Sequence, residues 1–280
     1  MEVQQVFKRY EKKYMLTQEQ EAAFLCAIDG KMVMDDYGEH TICNIYFDND
    51  SFELIRKSLD KPVYKEKLRM RTYGVPENGD HQAFVEIKKK YKGVVYKRRI
   101  QMKLDEAENY LYRGVRPEKD SQILREIDWL RERTKAEPKV FLSYRRRAFY
   151  GLENKDFRMT IDREITCRYK DLHLKSGVYG DKILPEGTSL LEIKIPGIMP
   201  LWMSKILSDL KIYPASFSKY GTYYQTTPEL FKSVTVQKAK IIEVRENPNE
   251  AESANSKKAN SAKANLKKAK SKKQYSKRAK

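Results

Sequence analysis

Charged side chains occupy every second position in several strand-like stretches of this chain. Leu68-Arg69-Met70-Arg71 and Phe84-Val85-Glu86-Ile87-Lys88 are two of them. Phe157-Arg158-Met159-Thr160-Ile161-Asp162 and Leu191-Glu192-Ile193-Lys194-Ile195 are two more. Successive side chains of a strand point to opposite faces, so each segment has one apolar face and one charged face. An ordinary one-sided sheet also alternates, but its solvent face is usually mixed and rich in Thr, Ser and Gln. Arg, Lys and Glu dominate here, and they do so in strand after strand. Such a face makes sense if the strands curl into a barrel with the charges inside. The outward apolar faces then need a cover of helices. The expected fold class is therefore α+β: a mainly antiparallel, closed or nearly closed β-barrel with a charged lumen and covering helices.

The local signals agree. Phe7–Met15 reads as a charged strand. Thr17 reads as a helix N-cap, with Gln20 completing a capping box. The helix that follows, Glu19–Ile28, reads as amphipathic, with Ala22, Ala23, Leu25, Cys26 and Ile28 apolar. Strands are predicted over Thr41–Asp48, Val63–Tyr73, Gln82–Lys90, Val94–Met102, Lys139–Tyr150, Arg158–Thr166 and Ser189–Ile195. The Gly74–Gly79 stretch makes a hairpin of the second and third. Helices are predicted over Ser51–Leu59, Leu104–Arg113, Ser121–Thr134 and Pro200–Leu210, with Trp202 in the core.

Charge narrows the partner. The chain of 280 residues carries a formal +18, which points to an anion: nucleic acid, polyphosphate, nucleotide or lipid headgroup. Eleven Lys/Arg and one acid lie between Ala251 and Lys280, leaving 46 bases against 38 acids, a net +8, over residues 1–250. From Asn247 the composition falls to Lys, Ala, Ser and Asn, which cannot build a core. The expected division is a folded domain over 1–246 and a disordered basic tail over 247–280, the tail binding nucleic acid only nonspecifically. Three cysteines, Cys26, Cys43 and Cys167, show no metal-ligand spacing and read as mostly buried thiols in a reducing compartment. The sequence shows no signal peptide and no apolar run of membrane-spanning length, so the expected setting is cytoplasmic.

Taken literally, strand parity puts Arg9, Glu11 and Lys13 on one face, with Asn44, Tyr46 and Asp48 on the next strand. Arg69, Arg71, Glu86, Lys88, Lys90, Lys97 and Arg99 follow. Tyr144, Arg146, Arg158, Thr160, Asp162, Glu192 and Lys194 complete it. Unpaired buried charges cost several kcal/mol each, so such a lumen calls for a filling. A chain of phosphates complements Arg and Lys well, with bidentate bonds to guanidinium groups. Carboxylates among the bases would pair with them or hold a divalent cation that bridges phosphate oxygens.

Eight motifs in order carry a resemblance. They are Lys13-Tyr14, Ile45-Tyr46-Phe47-Asp48-Asn49, Leu68-Arg69-Met70-Arg71-Thr72-Tyr73-Gly74 and Phe84-Val85-Glu86-Ile87-Lys88. Then come Tyr144-Arg145-Arg146-Arg147-Ala148-Phe149, Arg158-Met159-Thr160-Ile161-Asp162, Leu191-Glu192-Ile193-Lys194 and Phe217-Ser218-Lys219-Tyr220. Over about residues 5–226 the chain resembles the polyphosphate polymerase (VTC-type) domain of the triphosphate tunnel metalloenzymes, which also include CYTH-type triphosphatases. The resemblance implies a tunnel that transfers the ATP γ-phosphoryl to a growing polyphosphate chain. It implies phosphate contacts at Lys13, Arg69, Arg71, Lys88, Arg146, Arg158 and Lys219. Glu11, Tyr144 and Ser218 would face the substrate, with Lys97 or Arg99 adding to them. Glu192 matches the family's metal-binding glutamate, for Mn²⁺ or Mg²⁺.

ATP and polyphosphate are the implied partners, and a membrane protein that exports the product would fit the family's complexes and could hold the chain at a membrane. The sequence shows no phosphate-sensing (SPX-type) stretch before residue 5 and no membrane span after residue 226, so this chain alone is not expected to couple synthesis to export. CYTH relatives open with Glu-x-Glu-x-Lys, whereas this chain has Arg9-x-Glu11-x-Lys13. Arg9 in place of an acid favours the polymerase branch. A triphosphate hydrolase and a non-catalytic polyanion-binding module remain the alternatives. His40, His81 and His173 are given no role.

Overall fold

The computed structural model describes residues 10–92, 94–227 and 229. Arg9 and the expected tail therefore lie outside the described residues. Ten strands form one antiparallel sheet. In chain order they are β1 (Tyr10–Leu16), β2 (Met32–Met34), β3 (His40–Asp48), β4 (Tyr64–Tyr73), β5 (Gln82–Tyr91), β6 (Val94–Lys103), β7 (Glu137–Gly151), β8 (Arg158–Arg168), β9 (Asp181–Lys182) and β10 (Ser189–Ile195). The α-helices among the described residues are α1 (Gln18–Ala27), α2 (Glu53–Leu59), α3 (Leu104–Arg113), α4 (Gln122–Thr134), α5 (Leu201–Asp209) and α6 (Lys219–Thr226).

The strand order is β1-β10-β8-β7-β3-β4-β5-β6, with β2 on β7 and β9 on β8. Among the described residues no pairing joins β6 back to β1, so their sheet curls without closing by hydrogen bonds. The curl still brings its ends face to face. Lys13 of β1 acts electrostatically on Lys67 of β4, and Lys88 of β5 acts on Glu11 of β1 and Lys194 of β10. Segment Pro214–Phe217 lies along the outer edge of β1: Tyr14 bridges to Pro214, and the Ala215 N–H donates to the Lys13 carbonyl at 2.7 Å.

The apolar parity of the strands faces outward, under the helices, in two clusters. Ile45, Leu68, Met70, Val85 and Ile87 meet Leu104, Leu111, Leu124, Ile127 and Leu130 of α3 and α4. Leu16, Met159, Ile161, Leu191 and Ile193 meet Phe24, Met203 and Leu207 of α1 and α5. Trp202 packs against this second cluster, edge-on to Phe157.

The helices α1 and α6 depart from the sequence reading, while the cysteines follow it. The capping box at Thr17 and Gln20 is present, but Ala22, Ala23 and Cys26 of α1 are exposed. The inward face is Glu21, Phe24 and Ile28, where Glu21 receives Arg147 and Arg163. Of the cysteines, Cys43 and Cys167 are buried. Helix α6 carries no helical sequence signal, because Gly, Thr and three tyrosines are poor helix formers. Packing overrides propensity there: Tyr220, Tyr223 and Tyr224 are buried, and the Ser218 hydroxyl accepts the Gly221 N–H.

Candidate functional site

Strand β4 supplies the first half of the site. Parity puts Lys65, Lys67, Arg69 and Arg71 on its inner face, while Leu68 and Met70 go to the core. Arg69 Nε donates to Glu86 Oε2 at 2.7 Å and Nη1 to the Tyr46 hydroxyl at 3.2 Å. Lys97 Nζ sits 2.7 Å from the other oxygen of Glu86. Arg71 Nε donates to Asn44 Oδ1 at 2.8 Å and Nη2 to the Tyr144 hydroxyl at 2.9 Å. Each guanidinium is thus fixed by a neutral or acidic neighbour on the next strand, which holds its plane in place before any ligand arrives.

The second half centres on two carboxylates. Asp162 is fully buried and accepts from Arg146 Nε at 2.6 Å and Nη2 at 2.7 Å. Lys219 Nζ lies 2.6 Å from Asp162 Oδ2 and 3.0 Å from Glu192 Oε1. Lys13 Nζ lies 3.2 Å from the same Glu192 oxygen and 3.6 Å from Glu11, and donates to the Phe217 carbonyl at 3.0 Å. Lys219 and Arg146 stand over the Tyr144 ring at 4.8 and 4.9 Å. The Arg71 bond to the Tyr144 hydroxyl joins this half to the first.

The charges outweigh their own burial. Burial pushes Glu192 toward neutrality, but Lys219, Lys13 and Arg146 hold it well below the usual carboxylate range. Asp162 and Glu86 are likewise lowered against burial, by Lys219 and Arg146 in one case and Arg69, Arg71 and Lys97 in the other. The bases feel their crowding. Burial brings Lys67, Lys97 and Lys194 down to about 8, and burial of the Tyr46 hydroxyl is overcome by Arg69 and Lys67, which bring it down to about 8. A concave surface on which bases outnumber acids suits a multivalent anion.

The structure thus brings Glu11, Lys13, Arg69, Arg71, Lys97, Tyr144, Arg146, Glu192 and Lys219 into one connected surface. Lys88 is exposed at its rim, near Glu11 and Lys67. Arg158 is also exposed, opposite Lys194 in register, with Nε on the Lys155 carbonyl at 3.1 Å. Arg99 is exposed and stands 4.8 Å over Phe84. Ser218 caps α6. Asp48, which parity placed in the lumen, instead accepts the backbone N–H groups of Leu54 and Ile55 and faces Tyr220.

Five further residues belong to the surface. Asn44, Tyr46 and Asp162 follow from strand parity, and Tyr46 and Asp162 lie within the family motifs without an assigned role; Lys65 and Lys67 continue the parity of Arg69 and Arg71 but lie outside every motif. Among the described residues no three His, Cys, Asp or Glu side chains cluster to hold a metal. Among them, too, no helix is long and apolar enough to cross a membrane.

Comparison with known proteins places the chain. A proposed adenylate cyclase from Bacillus halodurans is similar at 14% identity and a TM-score of 0.49, over 76% of this chain and 95% of that one. A second proposed adenylate cyclase, from Vibrio parahaemolyticus, is similar at 12% identity and a TM-score of 0.44, over 79% and 99%. Similarity at that distance says nothing of chemistry. No curated protein matches. Residues 8–227 match the VTC domain, so the chain that builds this basic tunnel belongs to the VTC domain family.

Proposed function

We propose that the protein is a polyphosphate polymerase that transfers the γ-phosphoryl group of ATP to a growing polyphosphate chain. The observation that carries this reading is the state of the inward carboxylates. Asp162 is held by Arg146 and Lys219, Glu192 by Lys219 and Lys13, and Glu86 by Arg69 and Lys97. Glu11 is lowered by Lys88 and Lys13 against its burial. None of these carboxylates is free to take a proton from an attacking water, a role a carboxylate general base would have in hydrolysis. An acceptor that arrives already as an anion needs no base. A terminal oxygen of the polyphosphate attacks the γ-phosphorus, the bond to the β–γ bridging oxygen breaks, and ADP leaves with the electron pair. The enzyme's share is alignment and neutralisation of charge on the oxygens. Lys13, Arg69, Arg71, Arg146 and Lys219 provide it in the tunnel, with Lys88 and Arg158 at its rim.

The hard oxygen donors of Glu192 and Glu11, both beside Lys13, fit Mg²⁺ or Mn²⁺. Such ions commonly take one or two carboxylates and complete their shell with phosphate oxygens and water. When bound, the ion would neutralise triphosphate charge and polarise the transferring group. The roles of ATP and polyphosphate as partners follow from this reading, as does any membrane protein that receives the product.

The test is incubation of the purified protein with ATP and Mn²⁺, followed by gel separation. A polyphosphate ladder that the Glu192→Gln variant fails to make is the expected result. Release of free phosphate without polymer would move the protein to the hydrolase reading.

A further inference from the structure

One mouth of the tunnel is built differently from the rest. Along the inner face of β4, Lys65, Lys67, Arg69 and Arg71 are followed by Tyr73, 40% exposed at the strand's end. Tyr73 is the middle ring of an aromatic row. Its centroid is 5.5 Å from Phe84 of β5, edge-on, and 6.0 Å from His40 of β3. His40 in turn lies 6.2 Å from Tyr37, which is 81% exposed. The row is fixed in place. Gly74, at φ +84°, ends β4 and donates its N–H to the Thr41 carbonyl at 2.8 Å. The turn before β3 closes by the Gly38 N–H to the Asp35 carbonyl at 3.1 Å, and it presents Tyr37 outward.

Two guanidinium groups flank the row: Arg71 stands 5.9 Å over Tyr73 and Arg99 stands 4.8 Å over Phe84. His40 is the register partner of Arg146. The aromatic row therefore begins where the arginines end. At the other end of β4 the described inner face is Lys65 and Lys67 with Lys88 nearby, and the exposed rings there, Tyr64 and its register partner Tyr91, have the opposite parity to these lysines.

We infer that this aromatic row is a stacking shelf for the nucleobase of the nucleoside triphosphate, and that the lysine end is the polyphosphate end. The inference rests on the polymerase reading and gives its tunnel a direction. Two residues of strand span about 7 Å. A triphosphate lying on Arg69 and Arg71 thus brings its nucleoside to Tyr73 and its γ-phosphate toward Lys67. Base–aromatic stacking is tolerant of base identity because every base has a π-face. The shelf offers rings and guanidinium planes, and the His40 Nδ1 faces the Gly38 carbonyl at 3.2 Å. It therefore tells a nucleotide from a bare triphosphate more sharply than it tells one base from another. Arg99 finds its place here, bracketing the shelf rather than the transferring phosphate.

The experiment is calorimetric titration of the full chain with the β,γ-imido analogue of ATP and, separately, with inorganic tripolyphosphate, both in Mg²⁺. Tyr73→Ala is expected to raise the Kd for the imido analogue about tenfold and leave that for tripolyphosphate unchanged. Tyr73→Phe should stay near wild type, and His40→Ala should show the same selective loss. Equal weakening of both ligands in Tyr73→Ala would mean that the ring only supports Arg71, and would overturn the shelf. No change with either ligand would overturn it as well, while leaving the phosphate tunnel standing. If the unmodified protein binds neither ligand, the polymerase reading falls and takes the shelf with it.

Discussion

Lys67 and Lys194 each carry an ammonium that burial brings down to about 8, from opposite sides of the tunnel. In the unfolded chain a lysine titrates near 10.4. Above about pH 8 the folded protein therefore binds fewer protons than the unfolded one at these sites, and stability rises with pH up to about 10. Anion affinity runs the other way, because the deprotonated amines no longer attract phosphate. Titration of tripolyphosphate binding across pH 7 to about 9.5 should show affinity falling, with protons taken up on binding near pH 8. Urea unfolding of the empty protein over the same range should show a rising midpoint. At acid pH the slope has the same sign, because the lowered carboxylates also bind fewer protons in the folded chain than in the unfolded one. Asp162, Glu86 and Glu192 are all lowered, so the stability they contribute is present above about pH 4 and lost as pH falls through their folded values. The inner face itself was legible in the sequence, because side-chain period in a strand is fixed by backbone geometry. Which base meets which acid was not. The Lys219–Asp162 contact joins residues on elements whose docking depends on the whole curl, and Asp48 shares the parity of Asn44 and Tyr46 yet serves α2 and α6.

At the level of elements, α6 was the piece that sequence could not supply. It delivers Lys219 to two carboxylates, and three buried tyrosines hold it there. One of them, Tyr220, stacks on Tyr46 at 5.0 Å and places its hydroxyl 3.3 Å from Asp48. Asp48 also accepts the N–H groups of Leu54 and Ile55 at 2.9 Å each, at the start of α2. One carboxylate thus fixes two helices, one of which reaches the basic inner surface. Asp48→Ala should cost about 3 kcal/mol, a lost cap together with buried donors left unpaired. Urea unfolding measures that cost. Activity should fall further than stability explains, and Lys219→Ala should show the same kinetic defect together with a stability loss of its own, because Asp162 and Glu192 lose their shared ammonium. The motif Phe217-Ser218-Lys219-Tyr220 singled out Lys219 by family pattern, whereas the helix that positions it has no local signature.

At the level of the whole molecule, the sheet has its cores on the outside and its charge on the inside. Two outer clusters, one under α3 and α4 and one under α1 and α5, support two flanks of a single curled sheet. A ligand that touches Arg69 and Arg71 on one flank and Arg146, Lys219 and Lys13 on the other binds only the assembled curl. Such a ligand stabilises by mass action. Polyphosphate at about one hundred times its Kd should add about 2.7 kcal/mol, read as a rise in Tm. The shift should shrink for Arg69→Ala and for Lys13→Ala alike, although the two side chains stand on different flanks.

The unclosed join between the ends of the sheet gives salt two opposite signs. Lys13 faces Lys65 and Lys67 across it, and Lys88 faces Lys194, with no β-ladder among the described residues between β1 and β6 to oppose their repulsion. At about 0.01 M salt the screening length is near 30 Å and at about 1 M it is near 3 Å. Simple salt should therefore tighten the empty protein by quieting like charges, and loosen the loaded one by competing with its phosphates. Melting temperatures measured against ionic strength, with and without polyphosphate, should converge from above and below.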